Sequence, residues 1–176
     1  MLRAADEDDF EAIAAIVNHY ILHTPIHFSY EVVTAAELRS SWEEQRARYP
    51  MLVAEVDGEI AGFSKAGPFR ERAAYAWITE CGVYLRPERI GRGLGEGLYR
   101  PLLEILREQG YHSAIGGIAL PNEASVKLHE RLGFAKVGHV ARAGWKFERW
   151  HDVGFWQKDL APAGSPAGEI RPPVVR

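Results

Sequence analysis

The sequence predicts an α+β domain with a mixed β-sheet, and two local patterns support this prediction. Asp57-Gly58 separates two β-rich segments, as a two-residue hairpin turn does. A further β-rich segment, residues 75–85, leads through a glycine-dense stretch into an amphipathic run that reaches Gly110. Together these patterns indicate an antiparallel block followed by a βαβ unit, in the order β-α-α-β-β-β-α-β-α-β-β.

The N-terminal part of the chain predicts one strand and two helices. A strand at residues 2–4 is followed by acidic residues and then by apolar residues at helical spacing, until Pro25 breaks the pattern. Thr34 and Glu37 form a capping-box pattern, which predicts a second helix to about Arg48.

The rest of the chain alternates strands with two further helices. Pro101 lies inside the first of these helices and should kink it, because proline lacks the N–H that the helix needs. We expect a single domain at residues 1–160 and a mobile tail at 161–176, which is poor in apolar side chains. The predicted strands are 51–56, 59–67, 75–85, 111–120, 134–143 and 151–160, and the predicted helices are 94–110 and 122–132.

Composition excludes several classes of protein. A formal net charge of −3 over 176 residues argues against a nucleic-acid partner, and no apolar run approaches the roughly 18 residues of a membrane span. The single cysteine, Cys81, excludes an intramolecular disulfide and a cysteine-built metal site. His23 and His27 have metal-like spacing, but Pro25 lies between them, so no metal is expected. A cytoplasmic enzyme or binding domain fits these observations.

Four glycines alternate strictly between a predicted strand and a predicted helix, at Gly91, Gly93, Gly95 and Gly97. A turn of this kind directs several backbone N–H groups and the positive end of the helix dipole at one point, which favours a phosphate. The spacing matches neither a P-loop nor the dinucleotide fingerprint. The alternative interpretation is a flexible loop without function.

Seven short segments share the pattern of one enzyme superfamily. One of them is Ala74-Tyr-Ala-Trp-Ile-Thr-Glu80, which enters the glycine loop. Through them the chain resembles the GCN5-related N-acetyltransferases (GNAT), and more narrowly the phosphinothricin N-acetyltransferase group, over roughly residues 2–160. The segments are 16–21, 52–59, 66–69, 74–80, 93–95, 120–122 and 150–156.

The resemblance implies an acetyl-CoA site at the glycine loop. Backbone amides there would hold the pyrophosphate, and strand backbone just before the loop would pair with the pantetheine arm. Ile90 departs from the family, which places Arg or Gln at this position, and Arg92 is expected to offset the charge of Glu96. The implied cofactor-binding residues are Val83, Tyr84, Leu85, Gly91, Arg92, Gly93, Leu94, Gly95, Glu96 and Asn122.

Two residues are candidates for proton transfer. Glu80 lies among apolar residues of its strand, which should raise its pKa and make it a better base, and it matches the residue to which the family assigns this role. The alternative is an edge-strand glutamate facing solvent. His129 stands where the superfamily usually has a tyrosine, seven residues after Asn122, and is the candidate acid. The alternative is a structural or exposed histidine.

The acceptor implied by the resemblance is a small amino-acid analogue such as phosphinothricin, methionine sulfoximine or methionine sulfone. Its α-amine would be acetylated by direct transfer in a ternary complex, an activity that would confer resistance to such inhibitors. Guanidinium groups suit the oxygens of the side-chain head. The candidate substrate-binding residues are Phe28, Arg70, Arg72, Tyr75 and Lys146, each of which could instead be a surface charge or a core aromatic.

Other functions stay open at this point. The same fold could acetylate a peptide N-terminus or a polyamine, or could bind acyl-CoA without turnover. A covalent acetyl-cysteine at Cys81 is disfavoured, because no histidine is placed next to it in sequence. Related enzymes are commonly homodimers, so the resemblance implies a homodimer, with no nucleic acid or membrane partner.

Overall fold

The computed structural model describes residues 1–175, and Arg176, the last residue of the predicted tail, lies outside the described part. The described residues form the predicted series of elements, so the predicted fold class is confirmed. The helices are α1 (Phe10–His23), α2 (Ala35–Gln45), α3 (Leu94–Gln109) and α4 (Glu123–Arg131). The strands are β1 (Leu2–Ala4), β2 (Met51–Val56), β3 (Glu59–Pro68), β4 (Ile78–Leu85), β5 (Ser113–Leu120), β6 (Ala135–Lys146) and β7 (Arg149–Asp159).

The strands form one sheet in the order β1-β2-β3-β4-β5-β7-β6. All neighbouring pairs are antiparallel except β4 and β5, which α3 connects as a parallel pair. The Asp57-Gly58 turn has the positive φ angles, 56° and 80°, that a type I′ hairpin requires.

The parallel pair is short. Residues Ile78, Thr79 and Glu80 of β4 pair with Ser113, Ala114 and Ile115 of β5, and the pairing stops there. Beyond this point β4 stays paired with β3 as far as Leu85, and β5 stays paired with β7 as far as Leu120. The two central strands therefore separate, and a gap opens between their C-terminal halves.

Each face of the sheet buries its own hydrophobic core. Alternate residues of β2 point to opposite faces, so Leu52 packs on the α3 side while Val53 packs against α1 and α2. Leu98, Leu102 and Leu106 of α3 are all fully buried, which confirms the helical period read from the sequence. The core on the α3 side contains residues from both halves of the split sheet, such as Leu52 of β2 and Ala114 of β5, and so holds the halves together.

Several element boundaries differ from the expected ones. β4 begins at Ile78 rather than at residue 75, because Ala73–Tyr75 form a separate 3-10 turn. α2 ends at Gln45 rather than near Arg48, and α3 runs as one continuous helix through Pro101.

The last two strands are longer than predicted. β6 extends to Lys146 and β7 begins at Arg149, with only Phe147 and Glu148 between them. Both turn residues have positive φ, 50° and 57°. Neither is a residue type that signals such a turn, so the sequence pattern missed it.

The predicted tail packs against the domain around Ile170 and Arg171. Ile170 contacts the core on the α3 side. The buried Gln109 side chain donates to the Arg171 carbonyl at 2.7 Å, and the Arg171 amide donates to the Gln109 carbonyl at 2.9 Å. The packed domain therefore extends past residue 160 to Arg171, and the mobility of the remaining tail stays a prediction.

An ion pair holds the start of α1 on β1. Arg3 makes two hydrogen bonds of 2.7 Å to the buried carboxylate of Asp9, which also accepts from the Asp6 amide at 2.9 Å. Burial raises the pKa of Asp9, but the hydrogen bonds from Arg3 and Asp6 outweigh it, and the net pKa lies below its ordinary value.

Asp9→Asn should lower the free energy of unfolding at pH 7 by about 2 kcal/mol, the order of a hydrogen bond to a charged group. Because the pKa of Asp9 is lowered in the folded state, its contribution is present at neutral pH and is lost as the pH falls through that pKa. Urea unfolding over a series of pH values should show the two proteins converging in acid. Asp8→Asn, an exposed neighbour, is the control, and an equal loss in both variants would contradict this role.

Candidate active site

Two cavities meet at the gap between β4 and β5. The first, the Glu80 cavity, has a volume of about 390 Å³ and lies on the face covered by α1 and α2. The second, the loop cavity, has a volume of about 430 Å³ and lies between the glycine loop and α4. Both volumes fall in the range of about 300–1,000 Å³ that small-molecule sites occupy. The residues that line both cavities are Cys81, Gly82, Tyr84 and Gly117.

The glycine loop has the geometry of an anion site. Gly91 and Gly93 adopt left-handed φ angles of 81° and 78°, which glycine tolerates without strain. Gly93 is the N-cap of α3 and provides no side-chain cap, so the amides of residues 94–96 have no acceptor within the helix. The Gly97 amide already donates to the Gly93 carbonyl at 3.1 Å. The chain therefore offers backbone N–H groups and a helix N-terminus to an anion at this loop.

The arginines around this loop have different roles. Arg86 donates to the Ile60 carbonyl at 2.7 Å, and Arg89 pairs with Asp57 at 3.3 Å in the β2–β3 turn. No hydrogen bond or ion pair within residues 1–175 involves Arg92. Arg92 is therefore the arginine of this group whose charge is available to an anion at the loop.

Glu96 is neutralised from within the two neighbouring helices. It pairs with Arg100 one turn along α3 and, at 3.5 Å, with Arg131 of α4. The hydrogen bond from Arg100 is the main reason that the pKa of Glu96 is lowered. Arg92 was expected to offset the charge of this carboxylate, but Arg100 and Arg131 do so in the structure.

The backbone of β4 is open along the gap. Arg86 donates its amide to the Ala61 carbonyl, and hydrogen-bonded pairs alternate with non-bonded pairs in an antiparallel ladder. Val83 and Leu85 therefore direct their N–H and C=O groups away from β3 and into the gap, whereas Tyr84 is bonded to β3. Of the three predicted pantetheine contacts, Val83 and Leu85 have backbone groups in position, although the Leu85 carbonyl also accepts from Tyr20 Oη at 2.7 Å.

Glu80 stands at the point where the strands separate. Its carboxylate lies over Gly117 of β5, since a Cβ added to Gly117 would be 3.4 Å from Glu80 Oε1. The side chain opens into the Glu80 cavity, yet burial by the cavity walls raises its pKa, and the charges of Lys65 and Arg70 partly offset this effect. The predicted direction of the pKa shift is confirmed.

His129 is buried and its two ring nitrogens already have partners. Nδ1 lies 2.8 Å from the Ser125 carbonyl, which can only accept, so Nδ1 carries the proton. Nε2 lies 3.1 Å from the hydroxyl of the fully buried Tyr99, which must then donate to it. Burial lowers the pKa of His129, more than the hydrogen bond to Ser125 raises it. This arrangement favours a neutral, structural histidine over the predicted proton donor, although the ring does line the loop cavity.

Two more predicted positions lie along the loop cavity. Asn122 caps α4 by accepting from the Ser125 amide at 3.1 Å, and it also lines the cavity. Ile90 lines it too and exposes half of its surface. α4 approaches the loop closely, because a Cβ on Gly95 would lie 3.3 Å from Leu128.

Two of the predicted substrate residues are engaged elsewhere. The buried Lys146 ammonium donates to the carbonyls of Ile21 and, at 2.6 Å, His27, and burial lowers its pKa. Phe28 fills the space over Gly144, where an added Cβ would be 2.6 Å from the ring. Both residues fasten the α1–α2 connection to the β6–β7 hairpin, and neither lines the Glu80 cavity or the loop cavity.

The other three substrate candidates lie in the connection between β3 and β4. Arg70 is close enough to Glu80 to affect its pKa, and its guanidinium lies 5.1 Å from the Phe69 ring centroid. Tyr75 packs edge-on against Phe69 at 5.7 Å, while Arg72 is exposed at the start of a 3-10 turn. The structure brings Arg70 to the candidate base and leaves Arg72 at the surface.

Sequence reasoning missed two residues of the site. No local pattern distinguishes Tyr99 from the rest of the amphipathic helix, and its contact with His129 depends on how α3 and α4 pack. Lys65 lines the Glu80 cavity on the same face as Glu80, and burial lowers its pKa. The alternation of Phe63, Lys65 and Gly67 along β3 could have indicated a lysine on the face that α1 and α2 cover.

The structure also bears on a cysteine nucleophile, a metal site and a membrane-spanning helix. Cys81 is buried, and burial raises the pKa of its thiol, so a thiolate nucleophile is disfavoured as expected. Within residues 1–175, no group of three or more His, Cys, Asp or Glu side chains is placed to hold a metal ion. No helix in that part of the chain is long and apolar enough to cross a membrane.

Comparisons with known proteins place this geometry in a family. Residues 2–154 match the family model described as "Acetyltransferase (GNAT) domain". The phosphinothricin N-acetyltransferase of Streptomyces viridochromogenes is 44% identical over 172 residues, which cover 97% of this chain and 93% of that protein. The L-methionine sulfoximine/L-methionine sulfone acetyltransferase of Salmonella typhimurium is 35% identical, with 94% of this chain and 97% of that protein covered.

A solved structure has the same architecture. The phosphinothricin acetyltransferase of Sinorhizobium meliloti, in complex with acetyl-CoA, superposes with a TM-score of 0.92 at 29% identity and covers 96% of this chain and 93% of its own. The separated strands, the glycine loop and these matches lead to one conclusion. The chain belongs to the GNAT family of acetyltransferases and is an acetyl-CoA-dependent N-acetyltransferase.

Proposed function

We propose that the protein acetylates the α-amine of a small amino-acid analogue such as phosphinothricin, methionine sulfoximine or methionine sulfone. The observation that carries this proposal is the junction of the two cavities, which have Glu80 on one side and the glycine loop on the other. A donor and an acceptor bound on opposite faces of the sheet would meet in the gap. Relatives named for these substrates support the choice of acceptor.

In the proposed reaction, Glu80 takes a proton from the acceptor ammonium and so exposes the nitrogen lone pair. The nitrogen attacks the thioester carbonyl of acetyl-CoA and forms a tetrahedral intermediate, which collapses with cleavage of the C–S bond. The nitrogen then loses its second proton and the departing CoA thiolate takes one up, so the products are the N-acetyl compound and the CoA thiol. The N–H group of Val83, which points from β4 into the gap beyond the last β4–β5 pair, is suitably placed to stabilise the developing oxyanion. The amides of the glycine loop, with Arg92, hold the pyrophosphate.

Arg70 is the proposed contact for the oxygen-rich head of the acceptor side chain. Its guanidinium lies near Glu80, and it can make two parallel hydrogen bonds to a phosphinate or sulfone. A polyamine would bring extra positive charge to this side of the cavity, and Arg70 would repel it.

We also propose that the protein is a cytoplasmic homodimer that confers resistance to these inhibitors. The β6–β7 hairpin exposes several large apolar side chains, and an apolar patch of this kind often marks an association surface. The net charge of −3 gives no support to a nucleic-acid partner. The exposed side chains are Val137, Val140, Trp145, Phe147 and Trp150.

Glu80→Gln should lower kcat by about 100-fold or more with methionine sulfone as acceptor, because general base catalysis contributes about 10²–10⁴-fold. Release of the CoA thiol, measured with phosphinothricin, methionine sulfoximine, methionine sulfone and common amino acids, tests the acceptor class together with the role of Glu80. Glu59→Gln, an exposed glutamate of β3, is the control and should keep full activity. Full activity of Glu80→Gln would contradict its role as the general base. Turnover restricted to polyamines or peptides would contradict the proposal that the acceptor is a small amino-acid analogue.

His129→Phe separates a structural role from proton donation. If His129 is structural, kcat should change by less than about 10-fold, whereas loss of a general acid would cost about 10²–10⁴-fold. The variant leaves the buried Tyr99 hydroxyl unpaired, so the free energy of unfolding should fall by about 1–3 kcal/mol. Adding Tyr99→Phe removes the orphaned hydroxyl and should restore much of this stability, as measured by urea unfolding. A loss of kcat by 100-fold in a stable double variant would instead support the acid role.

Ile90→Arg should tighten the binding of CoA several-fold, because a guanidinium would then line the loop cavity next to the amides. Arg86 and Arg89 are held by other contacts and do not compete for the phosphates. Calorimetric titration with CoA measures the effect. Val174→Arg, at an exposed apolar position outside the loop cavity, is the control, and unchanged or weaker binding by Ile90→Arg would contradict this account.

A further inference from the structure

Lys65 is a cation on the floor of the Glu80 cavity. It lies opposite Gly82 of β4, and Gly67, two residues further along β3, lies opposite Glu80. Directly opposite residues of an antiparallel pair share a face, as do residues two apart on one strand. Lys65 and Glu80 therefore project from the same face of the sheet into the same cavity.

The floor between these two charges is bare backbone. Gly67, Gly82 and Gly117 all line the cavity. A Cβ added to Gly67 would meet no atom within 4 Å, and one added to Gly82 would first meet Tyr84, at 3.6 Å. The space beside Lys65 and Glu80 is therefore open to a ligand.

Lys65 has no partner within the described chain. No hydrogen bond or ion pair in residues 1–175 involves its ammonium, and the residue is exposed to solvent on the open side of the cavity. Burial of the side chain lowers its pKa, and the charge of Glu80 partly counteracts this. The other titratable groups that line the cavity are Tyr49, Cys81 and Tyr84, and burial raises the pKa of the last two. Two more lie near the pair: His27, whose pKa is lowered by burial and by the charges of Lys65 and Lys146, and Arg70, whose charge acts on Glu80. A partly desolvated cation without a partner favours an anionic ligand.

We propose that Lys65 binds the α-carboxylate of the acceptor and so selects α-amino acids over neutral or cationic amines. The inference rests on the proposed function and assigns a specificity residue to the same site. An α-amino acid carries an ammonium and a carboxylate on one carbon, and the cavity presents Glu80 and Lys65 on one face to receive them. Arg70, at the other side of Glu80, is left for the head of the side chain.

A comparison of two acceptors isolates this contact. Lys65→Met keeps the length of the side chain and removes its charge, and methionine sulfone carboxamide keeps the α-amine while replacing the carboxylate. The variant should raise KM for methionine sulfone by about 10- to 100-fold, the equivalent of one hydrogen bond between charged groups. KM for the carboxamide and for acetyl-CoA should stay within about 3-fold. Lys65→Arg should retain the preference for the acid over the carboxamide.

Controls distinguish the ways in which this proposal could fail. Lys136→Met, at an exposed lysine of β6, should behave as the wild type. An equal rise in KM for the acid and the carboxamide would overturn the proposal, since Lys65 would then act on the cavity or on Glu80 rather than on the carboxylate. If the wild type acetylates neither compound, the proposed function itself fails and the role of Lys65 fails with it.

Discussion

The separation of β4 from β5 after the Glu80–Ile115 pair is the constraint on which the site depends. β4 is held by β3, and β5 is held by β7, so the two strands cannot pair again once they diverge. The gap frees the N–H and C=O groups of β4 that face it and joins a cavity on one face of the sheet to a cavity on the other. Without this gap, a donor and an acceptor on opposite faces would be kept apart by the sheet itself.

Some positively charged side chains stabilise the fold, and others are available to bind a ligand. Arg3, Arg86, Arg89, Arg100 and Arg131 all bond to groups of the protein and hold its loops and helix ends in position. Arg92 at the loop and Lys65 in the Glu80 cavity have no such partner within residues 1–175. One of these cations belongs to the glycine loop and the other to the Glu80 cavity, which suits a reaction that joins an anionic donor to a zwitterionic acceptor.

Burial has opposite effects on the pKa values of Glu80 and His129, the two candidates for proton transfer. It raises the pKa of Glu80, which opens into a cavity and can act as a base. It lowers the pKa of His129, whose proton is directed at the Ser125 carbonyl and whose other nitrogen accepts from Tyr99. The same physical cause therefore strengthens one assignment and weakens the other.

The sequence by itself determined the order of the elements, the capped start of α2, the glycine turn that leads into α3 and the raised pKa of Glu80. These features depend on residues close together in the chain, whose periodicity, capping and turn chemistry act locally. Only the tertiary structure decided that Lys146 and Phe28 hold the α1–α2 connection on the β6–β7 hairpin, that Glu96 also pairs with Arg131 of α4, and that Lys65 faces Glu80. Those outcomes depend on the register between strands and on the packing of α3 against α4, which no local pattern specifies.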